Sequence, residues 1–310
     1  MTSISSKLRR NAAFALVFGL LGGAAQAADY TVSVEPNYPA GQAQQVYKPL
    51  LDYLSKATGE HFVLKTSGNY HVFWRDLRAA TPVDFAFEEA HFTDYRINHQ
   101  RFTPLARVAD PTRYVLLVDG SNQDGGANGL IGRRIASMSA PSLGYLLLGE
   151  LYKNPIAQPE IQSAAASWKD GVEMVFAGES DGAMVPGYIA QTYPNLASVA
   201  TSRDFVGRGF SASPRVPAAL RKKVTDALVR LNKDKALFDV LTELGATQFV
   251  ATGAGDYAGN ERLLRGVFGY TPAAGSRALT PAASAPPGVA GAAPAAPVST
   301  SLSIKASRGG

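Results

Sequence analysis

The order of strand and helix patterns limits the fold of this 310-residue chain more than any other feature. Short strand patterns at residues 30–34, 61–65 and 83–87 alternate with apolar residues spaced at the period of a helix. Such alternation is typical of a parallel α/β sheet. Two strand patterns without a helix between them, at 102–108 and 114–118, then break the rhythm. We therefore expect the chain to cross there into a second lobe.

The second half of the chain repeats the alternation and then returns. Strands are predicted at residues 161–165 and 182–185, with a helix over 168–177 between them, and an amphipathic helix or helix pair over 217–244 should pack back on the first lobe. The predicted fold is two α/β lobes with a ligand cleft at the carboxyl ends of the strands. The predicted boundaries are 28–110 and 212–270 for lobe 1 and 111–211 for lobe 2, with crossings near 109–113 and 203–213.

Both ends of the chain differ in composition from the rest. Lys7, Arg9 and Arg10 precede an apolar run over residues 12–21, and Ala25-Gln26-Ala27 has the pattern of a cleavage site. We predict a secretory signal peptide over 1–27, cleaved after Ala27, which delivers the protein to the periplasm. From residue 271 to 310 the chain is mostly Ala, Pro, Gly and Ser, and we predict a disordered tail.

Cysteine and charge usage exclude several classes of function. The chain has no cysteine, so disulfides and thiol catalysis are excluded. Its net charge of +5 arises outside the predicted lobes, because six of the 30 basic residues and none of the 25 acidic ones lie in the signal peptide or the tail. The remaining residues, 28–270, carry a net charge of −1, and no nucleic-acid partner is expected.

A serine-containing turn is the first candidate for a binding site. Ser139 and Ser142 stand between a short apolar run and the helical pattern that begins at Leu143. Free backbone N–H groups at such a helix start, together with the two hydroxyls, could hold a small oxyanion in this turn, which continues to Gly144. The alternative is that Ser142 only caps the helix.

Several motifs in a fixed order resemble those of one family. The chain is similar to the periplasmic phosphate- and phosphonate-binding proteins of ABC importers, which have the type II periplasmic binding protein fold, over most of residues 30–250. The motifs that carry the resemblance are Pro36-Asn37-Tyr38-Pro39, the helix over 47–54, Asp84-Phe85-Ala86-Phe87 with Ala90-His91-Phe92, Pro141-Ser142-Leu143-Gly144-Tyr145, and the 178–183 segment Gly-Glu-Ser-Asp-Gly-Ala.

The resemblance implies a monomeric binding protein without a cofactor or enzyme activity, which carries phosphonate, phosphate or phosphite to a membrane permease. This chain has Glu88 and Glu89 where many relatives carry small residues, and Trp168 where phosphonate binders often place a histidine. The two acids would repel a dianion unless they face away or bind an amino group, as in an aminophosphonate. The resemblance implies Tyr38, His91, Phe92, Ser139 and Ser142 as ligand-binding residues. The full predicted ligand-binding set is Tyr38, Glu88, Glu89, His91, Phe92, Ser139, Ser142, Leu143, Gly144, Trp168 and Asp181.

Three other functions fit parts of the sequence. The same fold could present its ligand-bound form to a membrane sensor kinase instead of a permease. The four histidines, His61, His71, His91 and His99, all lie in lobe 1, but they match no fixed metal-site spacing. A hydrolase could be drawn from Ser142, His91 and Glu88, yet no Gly-x-Ser-x-Gly turn is present.

Overall fold

Two mixed β-sheets organise residues 29–272, which are the residues that the computed structural model describes. The predicted signal peptide and nearly all of the predicted tail lie outside these residues. Within 29–272, no helix has both the length and the apolar character needed to cross a membrane. The strands are β1 (Asp29–Val34), β2 (His61–Lys65), β3 (Phe85–Glu88), β4 (Thr103–Val108), β5 (Tyr114–Val118), β6 (Arg134–Ala136), β7 (Glu160–Gln162), β8 (Gly182–Pro186), β9 (Ala197–Thr201), β10 (Gly209–Ala212) and β11 (Phe249–Ala251).

Helices connect most of the parallel strands. Their starts and ends follow local sequence signals: the helix after β1 ends where Gly59 takes a left-handed conformation, and Asn69 caps the helix after β2 through the N–H of Val72. The helices are α1 (Ala40–Thr58), α2 (Tyr70–Arg78), α3 (Ala90–Gln100), α4 (Leu143–Leu151), α5 (Trp168–Phe176), α6 (Gly187–Ala190), α7 (Ala218–Arg230), α8 (Phe238–Glu243) and α9 (Ala254–Tyr257).

Each sheet forms the centre of one lobe. The lobe 1 sheet has the order β11-β4-β10-β3-β1-β2, with β1 parallel to β2 and β3 and with β10 antiparallel to β3 and β4. The lobe 2 sheet has the order β7-β6-β8-β5-β9, with β6 parallel to β7 and β8. The carboxyl ends of β1, β3, β6 and β8 therefore provide the loops at which a ligand binds in open α/β sheets.

The two segments that connect the lobes are hydrogen-bonded to each other. Thr112 and Phe205 exchange backbone hydrogen bonds of 3.0 and 2.9 Å in an isolated antiparallel bridge. Gly207 then passes so close to the other segment that a Cβ there would lie 2.2 Å from the carbonyl oxygen of Val108. Because β10 begins at Gly209 and pairs in the lobe 1 sheet, the boundary predicted at residue 211 falls inside this strand.

Two large apolar clusters fill the molecule, and one of them connects the lobes. The first lies in lobe 1, around α1, α7 and the sheet. The second fills lobe 2 and continues into lobe 1, where Trp74 of α2 and Phe92 of α3 belong to the same cluster as Tyr114 and Trp168. The lobes therefore contact each other through apolar side chains as well as polar ones.

Candidate ligand site between the lobes

Asn37, in the loop after β1, is the central polar contact between the lobes. Its side-chain oxygen accepts a hydrogen bond of 2.6 Å from the Tyr70 hydroxyl and one of 3.0 Å from the Trp168 indole. Tyr70 belongs to lobe 1 and Trp168 to lobe 2, and all three side chains are buried. A second contact joins His91 Nε2 of α3 to the carbonyl oxygen of Pro141, at 3.1 Å. Loops that follow β1, β3 and β6 therefore meet at one place.

Aromatic rings cover the start of α4. A Cβ at Gly144 would lie 3.1 Å from the Trp168 ring and 3.2 Å from the Tyr114 ring, and these two rings meet edge to face at 5.4 Å. Glycine is thus needed here for close packing. Leu143, the first residue of α4, is buried in the apolar cluster that spans both lobes. The helix start therefore offers an aromatic surface beside its backbone N–H groups.

The hydroxyl of Ser142 is engaged within lobe 2. It donates to the carbonyl oxygen of Met138 at 3.0 Å and accepts from the N–H of Tyr145 at 3.3 Å, which makes Ser142 the N-cap of α4. Ser139 lies one turn earlier, is half-buried, and accepts from the N–H of Ser142 through its carbonyl oxygen. The capping interpretation thus accounts for the bond from Tyr145, and the bond to Met138 holds the hydroxyl within the turn before α4.

Replacing Ser142 with alanine should lower the free energy of unfolding by about 1 kcal/mol, because α4 loses its cap. Ligand affinity should change by less than about threefold. Urea unfolding and titration calorimetry on the same variant measure the two effects. A loss of affinity without a loss of stability would contradict the assignment of Ser142 as a cap.

Two carboxyl groups and one guanidinium lie buried at the same interlobe position. Glu35 follows β1 and accepts from the N–H of Glu89 at 3.3 Å. One oxygen of each carboxyl group, Oε1 of Glu35 and Oε2 of Glu89, has no hydrogen-bond partner among residues 29–272. Arg208, in the return crossing, donates to the carbonyl oxygen of Leu244. Its guanidinium lies 4.8 Å from the centre of the Phe87 ring and 5.7 Å from that of Tyr188.

Burial controls how these groups ionise. It raises the pKa of Glu89 to about 7, although Arg208 and the hydroxyls of Thr112 and Tyr114 favour the charged form. Burial, assisted by the nearby Glu89 carboxylate, raises the pKa of Glu35 well above its ordinary value. Burial therefore favours the protonated form of both carboxyl groups, and a bound cation would favour their ionisation.

Tyrosines form most of the remaining wall of the candidate ligand site. Tyr38 donates from its hydroxyl to Glu243 at 3.1 Å and meets the Tyr47 ring edge to face at 6.3 Å. Tyr188 approaches from lobe 2, where its ring would touch any Cβ placed on Gly245. Burial raises the pKa values of these tyrosines, so they remain neutral hydroxyl donors. The wall is therefore polar at the hydroxyls and apolar at the ring faces.

Three of the predicted ligand-binding residues lie away from this position. Glu88 points to α3, where Arg96 holds it through bonds of 2.7 and 2.8 Å. Phe92 packs between α2 and α3, 5.0 Å from the Phe73 ring. Asp181 precedes β8 at the opposite edge of the lobe 2 sheet and accepts from the N–H of Arg134 at 2.9 Å. We correct the predicted set on these contacts and leave Glu88, Phe92 and Asp181 out of the site proposed below.

The histidines do not converge. His61 pairs with Asp29, His71 contacts the ring of Phe268, and His99 bonds to Glu261 at 2.7 Å. Within residues 29–272, no group of three or more His, Cys, Asp or Glu side chains is arranged to hold a metal ion. The geometry of the described residues therefore offers no support for the metal-binding alternative.

The most informative site residues were not predicted from the sequence. Glu35 and Asn37 stand beside Tyr38 in the loop after β1, so the rule that parallel strands direct their following loops to the site could have included them. Tyr47, Tyr70 and Tyr188 lie on helices and carry no local signal that separates them from core aromatics. Arg208 also lacks such a signal, because its burial depends on rings from both lobes.

Two sheets joined by two crossings, with a polar site at the strand ends between them, define a two-lobed binding protein of the type II periplasmic class. The chain belongs to the family of periplasmic substrate-binding proteins of phosphonate ABC transporters, whose family model matches residues 32–257. This confirms the family predicted from the motif order. The family is periplasmic and its members are substrate-binding proteins rather than enzymes. A search of curated proteins found no match to the sequence.

Solved structures show the same fold. PhnD1 from Prochlorococcus marinus, in complex with methylphosphonate, has a TM-score of 0.67 at 14% identity, over 78% of this chain and 99% of that one. The binding protein component of an ABC phosphonate transporter from Pseudomonas aeruginosa has a TM-score of 0.64 at 12% identity, over 77% and 86%. XAC2383 from Xanthomonas citri, bound to ATP, has a TM-score of 0.57 at 14% identity, over 77% and 99%.

Proposed function

We propose that this chain is the solute-binding component of an ABC importer and that it binds a small phosphonate with an amino group between its lobes. The observation that carries the proposal is the burial of two acidic side chains, Glu35 and Glu89, beside the basic side chain of Arg208. Buried charges are stable when a partner of opposite sign reaches them. A zwitterionic ligand supplies both partners at once.

Each end of such a ligand has a matching surface. The free oxygens of Glu35 and Glu89 would accept from an ammonium group. Arg208 and the tyrosine hydroxyls would donate to the phosphonate oxygens, with help from the backbone N–H groups at the start of α4. Trp168 and Tyr114 would pack against the carbon chain. The proposed ligand-binding set keeps Tyr38, Glu89, His91, Ser139, Ser142, Leu143, Gly144 and Trp168 from the predicted set. Ser142 and His91 act indirectly, by holding the loops that contact the ligand. The set adds Glu35, Asn37, Tyr47, Tyr70, Tyr114, Tyr188 and Arg208.

Closure of the lobes would couple binding to recognition by a membrane permease. Contacts such as Trp168 with Asn37, and Lys169 with Glu243 at 3.4 Å, join the lobes in this structure. Separating the lobes breaks these bonds, and a ligand that contacts both sides favours the closed form. The closed form is what the permease would distinguish from the empty protein. With proposed lobe boundaries at 110 and 208, each of these contacts would join a residue of lobe 1 to a residue of lobe 2.

Titration calorimetry on residues 28–310 tests the proposal with 2-aminoethylphosphonate, methylphosphonate, phosphate and ethanolamine. We expect the aminophosphonate to bind tightest. Glu89→Gln should weaken it by roughly 10- to 100-fold, since a hydrogen bond to a charged group contributes about 1.5–3 kcal/mol. The same variant should leave methylphosphonate within about threefold. Aminophosphonate affinity should also rise as the pH increases from 6 to 8, because Glu89 ionises in that range.

Two results would contradict this proposal in different ways. If methylphosphonate or phosphate binds tighter than the aminophosphonate, the carboxyl groups do not contact the ligand, although the importer assignment would stand. If ethanolamine binds and no phosphorus compound does, the site takes an organic cation. Coexpression with the neighbouring permease or with a sensor kinase, followed by copurification, would separate the transport and sensing roles.

A further inference from the structure

A second concave surface lies between α2 and the last described turn, residues 267–269, away from the interlobe site. It encloses about 470 Å³, which is within the size range of specific binding sites. Phe268 forms one wall and is 54% exposed, so its ring is available for further contact. We call this surface the α2 groove, and its lining residues are His71, Trp74, Arg75, Arg78, Ala79 and Phe268.

The α2 groove offers aromatic faces and hydrogen-bond donors. The rings of His71 and Phe268 lie 5.0 Å apart, and the guanidinium of Arg78 lies 5.9 Å from the centre of the Trp74 ring. Trp74 is buried, yet its indole N–H has no partner among the described residues. No carboxylate lines the groove. These features fit an uncharged chain that is rich in carbonyl acceptors, and a proline-rich segment has this chemistry, because proline lacks the N–H.

The described chain ends beside this groove. Tyr270 meets the Trp74 ring edge to face at 5.3 Å, and Pro272 is the last residue described. The sequence continues for 38 residues, and its part 279–287 reads Leu-Thr-Pro-Ala-Ala-Ser-Ala-Pro-Pro. No charged residue lies between Arg277 and Lys305, so nothing in this part repels the arginines of the groove. The six residues 273–278 can span up to about 20 Å, which is enough to turn back to the groove.

We propose that residues 279–287 bind in the α2 groove of the same molecule. The segment cannot build a core of its own, but a polyproline strand loses little entropy when it binds an aromatic groove. A short linker also gives it an effective concentration in the millimolar range, so weak contacts are sufficient. The rings of the groove would pack on the prolines while Arg78 donates to the backbone carbonyls.

The two tryptophans of the chain make a direct test possible. The full mature chain, residues 28–310, is labelled with 5-fluorotryptophan, and Trp168→Phe assigns the two fluorine resonances. In the variant with Pro281, Pro286 and Pro287 all changed to Ser, we expect the Trp74 resonance to move by more than its linewidth while that of Trp168 stays in place. The matched control changes Pro294 and Pro297 to Ser, outside the segment, and should move neither resonance.

A peptide of residues 273–290 provides the second measurement. When the peptide is added to the triple-serine variant, the Trp74 resonance should return toward its position in the unaltered chain. The shift should saturate as the peptide concentration increases. An unchanged Trp74 resonance in the triple-serine variant would overturn the proposal and leave the groove to another partner. Equal movement of both resonances would also overturn the proposal, because it would indicate a change of the whole fold. A Trp74 resonance whose position depends on protein concentration would overturn it as well, because the occupant of the groove would then be a second copy of the chain.

Discussion

Replacing Glu88 with alanine should lower the free energy of unfolding by about 3–5 kcal/mol. The carboxylate of Glu88 and the guanidinium of Arg96 are almost fully buried, with 0% and 3% of their side chains exposed, and three N–O distances of 2.7 to 2.8 Å join them. Removal of one partner leaves a guanidinium without its counter-charge in the interior. Urea unfolding at pH 7 measures the loss.

The matched control for this prediction is an exposed ion pair. Lys48 and Asp52 on α1 form an i,i+4 pair at 2.7 Å with most of both side chains in water, and Lys48→Ala should cost less than about 1 kcal/mol. The double variant Glu88→Leu with Arg96→Met removes both charges and should recover most of the lost stability. A Glu88→Ala protein that remains as stable as the unaltered protein but binds ligand weakly would return Glu88 to the site.

The rule of side-chain alternation explains why Glu88 and Glu89 differ. Both acids were predicted at the site from their position after the third strand. Successive side chains on a strand point to opposite sides, so Glu88 at the end of β3 reaches Arg96 while Glu89 turns toward the other lobe. This signal was present in the sequence, because two adjacent residues of a strand end cannot face one ligand. The partner Arg96, eight residues later, was not identifiable without the direction of α3.

The fold was more predictable from sequence than the site. Apolar periodicity identified β2 and β5 with the observed bounds, and it predicted the alternation in both lobes. The helical prediction over 217–244 is realised as α7 and α8 with a break at 231–237, where Asp234 caps a short turn. The local sequence pattern determines such helices, whereas the site depends on which loops contact each other in the folded protein. Arg208 illustrates the limit: its position between Phe87 and Tyr188 follows from lobe closure.

His91 should make the closed protein sensitive to acid. A carbonyl oxygen only accepts, so Nε2 carries the hydrogen that bonds to Pro141. Nδ1 is buried and has no partner in the described part of the chain. Burial lowers the pKa of His91 to about 3, from 6.5, and the bond to Pro141 offsets part of this effect. The group is therefore neutral in the folded protein at a pH where it is charged in the unfolded chain.

The sign of the pH dependence follows from this difference. His91 stabilises the folded state fully above pH 6.5, and this stability is lost as the pH falls toward 3, by up to about 5 kcal/mol. Glu35 and Glu89 act in the opposite direction, because burial raises the pKa of both carboxyl groups and so favours the folded state at low pH; the contribution of Glu89 is lost as the pH rises through about 7. The two trends overlap between about pH 4.5 and 6.5, so the total curve alone does not isolate His91.

The variant His91→Gln separates the two trends. Glutamine can donate to the Pro141 carbonyl but does not ionise, and it leaves Glu35 and Glu89 unchanged. Urea unfolding of both proteins from pH 7.5 to 3.5 should show that the free energy of unfolding falls more steeply in the unaltered protein than in the variant. This difference in slope does not depend on the packing cost of the substitution at pH 7. Parallel curves would mean that His91 reaches water in the folded state. Since its bond to Pro141 joins the lobes, a steeper curve would also predict that acid opens the site and weakens ligand binding below about pH 5, in parallel with the loss of stability.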